Sequence, residues 1–214
     1  MFSPILFVIA FLLSLSIHEA AHAWMSDRLG DPTARLAGRV TLNPLAHLDP
    51  FGTLLPLFLI LTGSPIIFGW GKPVPFDPYN LRRPRRDAAL ISFAGPGANL
   101  TLATISAIII RLSHLLIGTK AFTIEALLTP LIILNVTWAL FNLLPIHPLD
   151  GGKVLVGLLS HRVAYKWDEV LNRYGFLILL LLIFPLFGVA PLFLILSPLV
   201  NLFLSVLLPG SPLV

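Results

Sequence analysis

The residues in this sequence with the clearest chemical potential lie at positions 18–22, which read His-Glu-Ala-Ala-His. Residues four apart share one face of a helix, so the imidazoles of His18 and His22 can reach the same metal ion. The carboxylate of Glu19 would stand beside that ion, where it can take a proton from an attacking water. The spacing therefore predicts one Zn²⁺ ion and a hydrolytic reaction with Glu19 as the general base.

A catalytic zinc site commonly takes three protein ligands and keeps one position for water. Because the sequence has no cysteine, the third ligand must be another histidine or a carboxylate. The residues favour Asp150, which follows a long apolar stretch and precedes two glycines that allow close backbone approach. The alternatives that remain open are Asp49, His47 and His147. The acidic residues expected to be solvated in charged loops are Asp27, Asp31, Asp77, Asp87, Asp168 and Glu169.

Composition places this motif in a membrane protein. Of the 214 residues, 57% are hydrophobic and 11% are charged, whereas soluble proteins have about 25% charged residues. Ionisable side chains inside an apolar helix are costly, so His18, Glu19 and His22 are expected to be functional. The net charge of +4 comes from basic loops between apolar runs, which indicates membrane topology and not a nucleic-acid partner.

The predicted fold is an all-α, multi-pass membrane protein with about five transmembrane helices, forming one domain over residues 1–214. An apolar helix needs about 20 residues to cross roughly 30 Å of hydrocarbon. The stretches expected to cross are 2–25, 88–110, 126–145, 175–187 and 190–208.

A further apolar stretch, 51–70, is interrupted by proline and glycine, and the sequence near 66–74 is typical of extended chain. If this stretch crossed the membrane, the basic loops before and after it would lie on opposite sides, although basic loops favour the cytoplasmic side. We therefore expect a re-entrant element with short β strands that enters and leaves on the cytoplasmic side. The first and third spans then run in the same direction, so residues 18–22 and Asp150 are expected at the same depth near the cytoplasmic face.

Two motifs at distant positions resemble those of the site-2 protease family of intramembrane zinc metalloproteases. The first is the HExxH at 18–22, and the second is the NxxPxxxxDG pattern that begins at Asn142 and ends at Gly151. Further matching segments are Ala94-Gly95-Pro96 with Asn99, Gly69 to Pro75, and Asn43-Pro44 with His47, Asp49, Pro50 and Gly52. The resemblance implies that Asp150 is the third zinc ligand and Glu19 the general base, in a compact chain without PDZ or CBS domains.

Three further residues near these motifs are candidates for the site. Asn142 is expected to bond the substrate or a developing oxyanion, or else to serve as a helix-packing amide. His47 is expected to line the site or to cap its loop. His147 stands where the family often has proline, and it adds a titratable group beside the metal site.

The sequence thus predicts a zinc-dependent intramembrane endopeptidase that hydrolyses peptide bonds of membrane-spanning protein substrates near the cytoplasmic face. It is expected to lie in a lipid bilayer, in the cell membrane of a prokaryote. The sequence specifies no oligomeric state. One alternative is a zinc-binding transporter, although the sequence shows no internal repeat of the kind common in transporters. Another is a non-catalytic membrane scaffold, although Glu19 and the candidate ligands are all present.

Overall fold

Helices make up most of the chain, as its apolar stretches predict. The computed structural model describes residues 4–62, 70–185 and 188–208. The helices in these ranges are α1 (Pro4–Arg28), α2 (Thr33–Leu36), α3 (Pro50–Leu61), α4 (Pro84–Ile117), α5 (Phe122–Asn142), α6 (Asp150–Leu158), α7 (His161–Ile183) and α8 (Pro191–Leu207). Short 3₁₀ turns lie at Pro44–Ala46, Pro78–Asn80 and Gly118–Ala121. The predicted helical class is confirmed.

The region of the predicted re-entrant element contains α3 and leads into residues 70–77, which are non-helical and carry an isolated β bridge at Gly71; we call this stretch the extended segment. α3 has 12 residues. The extended segment meets the loop before α3 at an isolated antiparallel bridge between Leu48 and Gly71. No strand forms within the described ranges, and positions 66–69 of the predicted extended chain lie outside the described residues.

Two helical stretches among the described residues are long and apolar enough to cross a membrane, Ile5–Arg28 and Pro84–Asn142. The second contains α4 and α5 together with the 3₁₀ turn between them. α8 is a shorter apolar helix of 17 residues.

The segment before the fourth predicted span is helical and not a loop. α7 begins at His161, well before the predicted start at 175. Ala164 and Leu171 on its first half are buried in one apolar cluster with Val156 of α6. Packing against α6 therefore extends the helix through a charged stretch that hydropathy alone assigns to a loop.

The helices around the HExxH segment meet through small side chains and buried polar contacts. Ala103 of α4 is buried in an apolar cluster with Ile132 of α5 and Leu204 of α8. Ser14 on α1 accepts a hydrogen bond of 2.7 Å from the buried amide of Asn135 on α5. Lipid is as apolar as the helix surfaces, so close contact of small residues and interhelical hydrogen bonds hold such helices together.

An apolar cluster holds the turn before α6 and so fixes the position of Asp150. Leu144, Ile146 and Leu149 in this turn are buried together with side chains of α7 and α8. The backbone of Gly151 packs on the same turn, since a Cβ there would lie 2.3 Å from the carbonyl oxygen of Leu144. A side chain at 151 would push α6 away from the turn, so packing requires the glycine that follows Asp150.

Two acidic residues expected to be solvated are buried. Asp87 lies in the first turn of α4 and accepts a hydrogen bond of 2.8 Å from the backbone amide of Arg83. Asp31 follows α1 and is fully buried. Both expectations are wrong because neighbouring charges in the sequence suggest solvent, whereas turns and caps supply the hydrogen bonds that a buried carboxylate needs.

Asp31 joins the end of α1 to a segment far along the chain. Its carboxylate accepts hydrogen bonds from the Ser26 hydroxyl, the hydroxyl and amide of Thr33, the Asp77 amide and the Asn80 side chain. Burial would raise the pKa of Asp31, but these hydrogen bonds outweigh burial and lower that pKa from 3.8 to about 2. The sequence gives no sign of this contact because two of the donors lie 46 and 49 positions away.

An Asp31→Asn substitution should destabilise the chain in a pH-dependent way. At pH 7 an amide cannot accept all of these hydrogen bonds, so the free energy of unfolding should fall by about 2–3 kcal/mol. The folded pKa of about 2 lies below the ordinary 3.8, so the stabilisation by Asp31 is complete above about pH 4 and is lost as the pH falls towards 2. The difference in the free energy of unfolding between wild type and variant should therefore become smaller as the pH falls over that range.

Thermal unfolding of the detergent-solubilised chain from neutral pH downwards measures this difference. The control is Asp27→Asn, because that more exposed carboxylate pairs across the surface with Arg35, at 2.8 Å. A loss of stability in Asp31→Asn that is no larger than the control's would contradict the role given to Asp31.

Candidate metal centre

The side chains of His18, His22 and Asp150 converge between α1 and α6. The two histidines lie one turn apart on α1, and Asp150 is the first residue of α6. Their Nε2 atoms are 3.0 Å apart and lie 3.2 Å and 3.3 Å from Oδ2 of Asp150. One donor atom from each residue lies within 4.8 Å of the others, and both imidazoles are buried. In the described part of the chain, these three residues form the group that could hold a metal ion.

Acceptor groups on α4 orient both imidazoles. Nδ1 of His18 lies 3.1 Å from Oδ1 of Asn99, and Nδ1 of His22 lies 2.7 Å from the carbonyl oxygen of Ile91. Because both partners are oxygen acceptors, each Nδ1 donates a proton and each Nε2 keeps its lone pair on the side of Asp150. A neutral imidazole with a free nitrogen lone pair is the form that binds a metal.

The donor chemistry fits a zinc ion, and the packing of α4 leaves room for the two imidazoles that would hold it. α4 approaches the imidazoles through Gly95, where a Cβ would lie 2.3 Å from Nε2 of His22 and 2.8 Å from Cε1 of His18. The absence of a side chain there leaves room for the two rings. Two imidazole nitrogens and one carboxylate also match the donor sets of catalytic zinc sites, which keep a further position for water.

Glu19 lies next to these donors on α1 and contacts a different part of the chain. Its side chain is 13% exposed, and its Oε2 lies 3.9 Å from Nη2 of Arg39. Its Oε1 faces Gly71, where a Cβ would be 3.4 Å away. The carboxylate therefore stands beside both the histidine pair and the extended segment at Gly71, with some access to solvent.

The site combines two carboxylates with one buried cation. Burial would raise the pKa of Asp150, but the adjacent imidazoles of His18 and His22 outweigh burial and hold that pKa below its ordinary value. Burial lowers the pKa of Arg39, and the nearby carboxylate of Glu19 partly offsets this. A guanidinium remains protonated in proteins, so Arg39 is a permanent positive charge beside Glu19.

The chain is similar to proteins that carry the name of zinc metalloproteases. The model of peptidase family M50 matches residues 112–182, which include Asp150. YwhC of Bacillus subtilis (strain 168), named as a zinc metalloprotease, is 37% identical over 179 residues, which cover 82% of this chain and 78% of YwhC. The chain belongs to peptidase family M50.

Two mycobacterial relatives of this M50 peptidase carry the name of the zinc metalloprotease Rip2. That of Mycolicibacterium smegmatis is 34% identical over 191 residues, covering 84% of this chain and 66% of Rip2. That of Mycobacterium tuberculosis (strain H37Rv) is 32% identical over 148 residues, covering 69% of this chain and 54% of Rip2. The chain thus spans about two thirds and about half of the length of these two relatives. No solved structure matches the chain.

Membership of family M50 confirms the resemblance to the site-2 proteases that the motifs indicate. The chain is a metalloendopeptidase, as predicted. Family membership and the apolar helices also identify it as a membrane protein.

The alternative ligands of this M50 peptidase have other partners. Oδ1 of Asp49 accepts a hydrogen bond of 2.8 Å from the amide of Gly52, in the first turn of α3. Nε2 of His147 lies 3.3 Å from Oδ1 of Asp168 on α7. The fold therefore brings Asp150 to the two histidines, and it directs Asp49 and His147 to other contacts.

Asn142 and His47 have hydrogen-bond partners outside the three-donor group. Asn142 ends α5, and its amide donates a hydrogen bond of 3.0 Å to the carbonyl oxygen of Trp138, one turn back. His47 is fully buried, and its Nε2 donates a hydrogen bond of 2.7 Å to the carbonyl oxygen of Thr41. Its Nδ1 lies 3.4 Å from Nη2 of Arg39. His47 thus contacts Arg39, which in turn lies beside Glu19.

Residue type alone does not identify all the groups that contact the site. The carbonyl of Ile91 carries no sequence signal, because every residue has one. Asn99 belongs to a segment that the family resemblance matches, but its contact with His18 depends on how α4 packs on α1. Arg39 resembles other loop cations in the sequence, yet its side chain is only 4% exposed and lies beside Glu19.

Substituting Gly95 with alanine should weaken metal binding. The new Cβ would lie 2.3 Å from Nε2 of His22, so either the imidazole or α4 must move. Disturbing the groups that orient a metal ligand typically costs about 10- to 100-fold in metal affinity. Competition with a zinc chelator on the purified chain measures that loss.

Gly97→Ala is the matched control on the same helix. Its Cβ would lie 3.4 Å from Cε1 of Phe93, an ordinary contact distance. Each variant adds one methyl group to the same helix. Equal zinc affinities in the two variants would therefore show that the close approach at Gly95 does not cause the loss of zinc affinity.

Proposed function

We propose that this M50 peptidase is a zinc-dependent intramembrane endopeptidase whose single Zn²⁺ ion is held by His18, His22 and Asp150. It hydrolyses peptide bonds of membrane-spanning protein substrates near the cytoplasmic face. The observation that carries the proposal is the approach of both Nε2 atoms to Oδ2 of Asp150, at 3.2 Å and 3.3 Å, beside Glu19. Zinc also appears in the names of the relatives YwhC and Rip2.

The chemistry assigns a separate role to each residue. A zinc ion in this site would polarise the scissile carbonyl and supply a water that is nucleophilic at neutral pH. Glu19 accepts the proton of the attacking water and then passes it to the nitrogen of the leaving amine. Asn99 and the carbonyl of Ile91 keep the imidazoles of His18 and His22 in the orientation that ligation needs.

The substrate binds in an extended conformation. A helical substrate hides its carbonyl groups in hydrogen bonds, so the segment around the scissile bond must unwind before it can react. The extended chain at Gly71 pairs with Leu48 and lies beside Glu19, which supports strand addition of the unwound substrate along it. The stretch near 66–74, for which the sequence predicts short β strands, would provide the template.

Paired substitutions test the roles of the base and the third ligand. Glu19→Gln should keep zinc at full occupancy and lower the cleavage rate by about 100- to 10,000-fold, because only proton transfer is lost. Asp150→Ala should lose both zinc and activity, since the two histidines alone make a poor site. Zinc content and cleavage of a single-span substrate are measured on the same purified samples.

Asp49→Ala is the matched control for the third ligand, because it removes the alternative carboxylate and should retain zinc. Cleavage by Glu19→Gln at the wild-type rate would end the proposed mechanism. Full zinc occupancy in Asp150→Ala, with loss in Asp49→Ala, would transfer the ligand role to Asp49.

The chain forms a single domain in a prokaryotic cell membrane. It crosses the membrane five times, with helices α1, α4, α5, α7 and α8. α3 has 12 residues, which at about 1.5 Å per residue is roughly 18 Å, against about 30 Å of hydrocarbon. That length supports a re-entrant element that returns to the side from which it came. α1 and α5 then run in the same direction, as a zinc site shared between His18 and Asp150 requires.

Labelling of single cysteines tests this topology, because the chain has no native cysteine. Leu36, Tyr79 and Ser160 are exposed positions in the segments proposed to be cytoplasmic, and Lys120 is exposed in the turn between α4 and α5. Ser26 would be a poor site because it is fully buried against Asp31. A membrane-impermeant thiol reagent added outside intact cells should label Lys120→Cys and spare the other three. Labelling of Tyr79→Cys with protection of Leu36→Cys would show that α3 and its flanking chain cross the membrane.

A further inference from the structure

One buried cation beside the site takes no part in the proposed zinc binding or proton transfer. Arg39 is 4% exposed, and it lies just after α2 in the loop that follows α1. A charged group in the interior is costly unless its hydrogen bonds are made. Its Nε is nevertheless buried without a partner among the described residues. The contacts of the other guanidinium atoms therefore need an explanation.

Those contacts go mainly to the extended segment beside Glu19. Nη2 of Arg39 donates a hydrogen bond of 2.5 Å to the carbonyl oxygen of Lys72, and Nη1 donates one of 3.0 Å to the carbonyl oxygen of Pro73. Nη2 lies 3.4 Å from Nδ1 of His47. The ion pair with Glu19 is longer, at 3.9 Å. Distance thus favours the two backbone carbonyls as the principal partners of Arg39.

The backbone on both sides of this contact is fixed. The amide of Arg39 donates a hydrogen bond of 2.9 Å to the carbonyl of Ala34, and the preceding Gly38 has φ of +68°, which suits glycine at the end of α2. On the other side, the amide of Lys72 donates a hydrogen bond of 2.8 Å to the carbonyl of His47. The guanidinium therefore joins two backbone segments that are each already held in place.

The segment that Arg39 holds passes directly beside the proposed base. A Cβ at Gly71 would lie 2.7 Å from Cδ1 of Leu15 and 3.4 Å from Oε1 of Glu19, so the backbone there rests on α1. Lys72 and Pro73 follow at once and carry the carbonyls that Arg39 binds. A displacement of this segment changes its distance from Glu19 directly.

We propose that Arg39 is a positioning residue that holds the segment 71–73 at a fixed distance from Glu19, and thereby sets where an extended substrate lies relative to the base. This inference rests on the proposed function and deepens it. Arg39 acts through the backbone of the segment and does not touch the reacting atoms. The planar guanidinium suits this role because two nitrogens in a rigid fork bind two successive carbonyls. The single nitrogen of a lysine ammonium cannot hold both carbonyls in the same geometry.

The test compares Arg39→Met, Arg39→Lys and the control Arg35→Met. Arg35 lies four residues earlier, is exposed, and pairs with Asp27 at 2.8 Å, so its variant removes the same charge without touching the segment. For Arg39→Met, kcat/KM should fall by about 100-fold, chiefly through KM, because two charged hydrogen bonds to the segment are lost. The kcat/KM of Arg39→Lys should fall by about 10-fold, and that of Arg35→Met by less than about twofold. Zinc content should be equal in all three.

Binding gives a readout that does not depend on turnover. In the Glu19→Gln background, the Kd of a fluorescent single-span substrate should rise by about 100-fold when Arg39→Met is added, which corresponds to about 2.7 kcal/mol. Arg35→Met in the same background should leave Kd unchanged. A role of Arg39 confined to the stability of the fold would not change Kd in the folded fraction, isolated by size exclusion.

The outcomes separate this inference from the proposed function. If wild type binds zinc but cleaves no membrane-spanning substrate, the proposed function fails, and the binding measurement still decides on Arg39. Equal Kd for the Arg39→Met and Arg35→Met variants, or loss of zinc in Arg39→Met, would overturn the positioning role. If Arg39→Met does not fold, Arg39→Lys decides, and wild-type kcat/KM and Kd in that variant would overturn it as well.

Discussion

Two imidazoles on an apolar helix need polar partners, and much of the packing around α1 follows from that need. His18 and His22 lie on a mainly apolar helix, where each unpaired polar group costs free energy. α4 supplies an amide oxygen and a backbone carbonyl to the two Nδ1 atoms, and α6 supplies the carboxylate of Asp150 to the Nε2 atoms. Three helices are therefore held in one arrangement by the same pair of side chains.

Close backbone approach makes that arrangement possible, and three glycines stand at such close contacts. Gly95 brings α4 against the imidazoles, Gly151 seats α6 on the turn before it, and Gly71 brings the extended segment against α1. At each position a Cβ would lie less than 3 Å from an atom of a neighbouring element. His18, Glu19 and His22 on α1 are thus packed closely against the backbones of α4 and the segment at Gly71, and Asp150 reaches them from α6. This close packing gives the site little freedom to expand.

Outside the helix bundle, two buried charges tie the chain after α3 to the end of α1. Asp31 accepts hydrogen bonds from Asp77 and Asn80, and Arg39 donates hydrogen bonds to the carbonyls of Lys72 and Pro73. The two charges hold opposite ends of the stretch 72–80. Each binds at least one main-chain group of that stretch, and such a group cannot move unless the backbone moves with it. A buried charge satisfied in this way fixes position more firmly than an apolar contact, because its hydrogen bonds are directional.

The sequence by itself determined the class of chemistry, because the spacing of His18, Glu19 and His22 on a helix already predicts the two zinc ligands and the base that we propose. Apolar stretches likewise determined that most of the chain is helical, since an uncharged run of that length can satisfy its backbone in lipid only as a helix. The choice among Asp150, Asp49 and His147 as the residue nearest the histidines was decided by tertiary structure. Residues separated by more than a hundred positions meet only when the turn before α6 is anchored.

Tertiary structure also decided which charged loop residues are buried. Asp31 and Arg39 look like solvated charges in the sequence, where their neighbours are polar and basic. The four partners that join them to the chain after α3 lie between 33 and 49 positions further along, and three of these four are backbone groups that every residue possesses. Side-chain type and spacing carry information about chemistry on one element, but only folding determines which main-chain groups reach a buried charge.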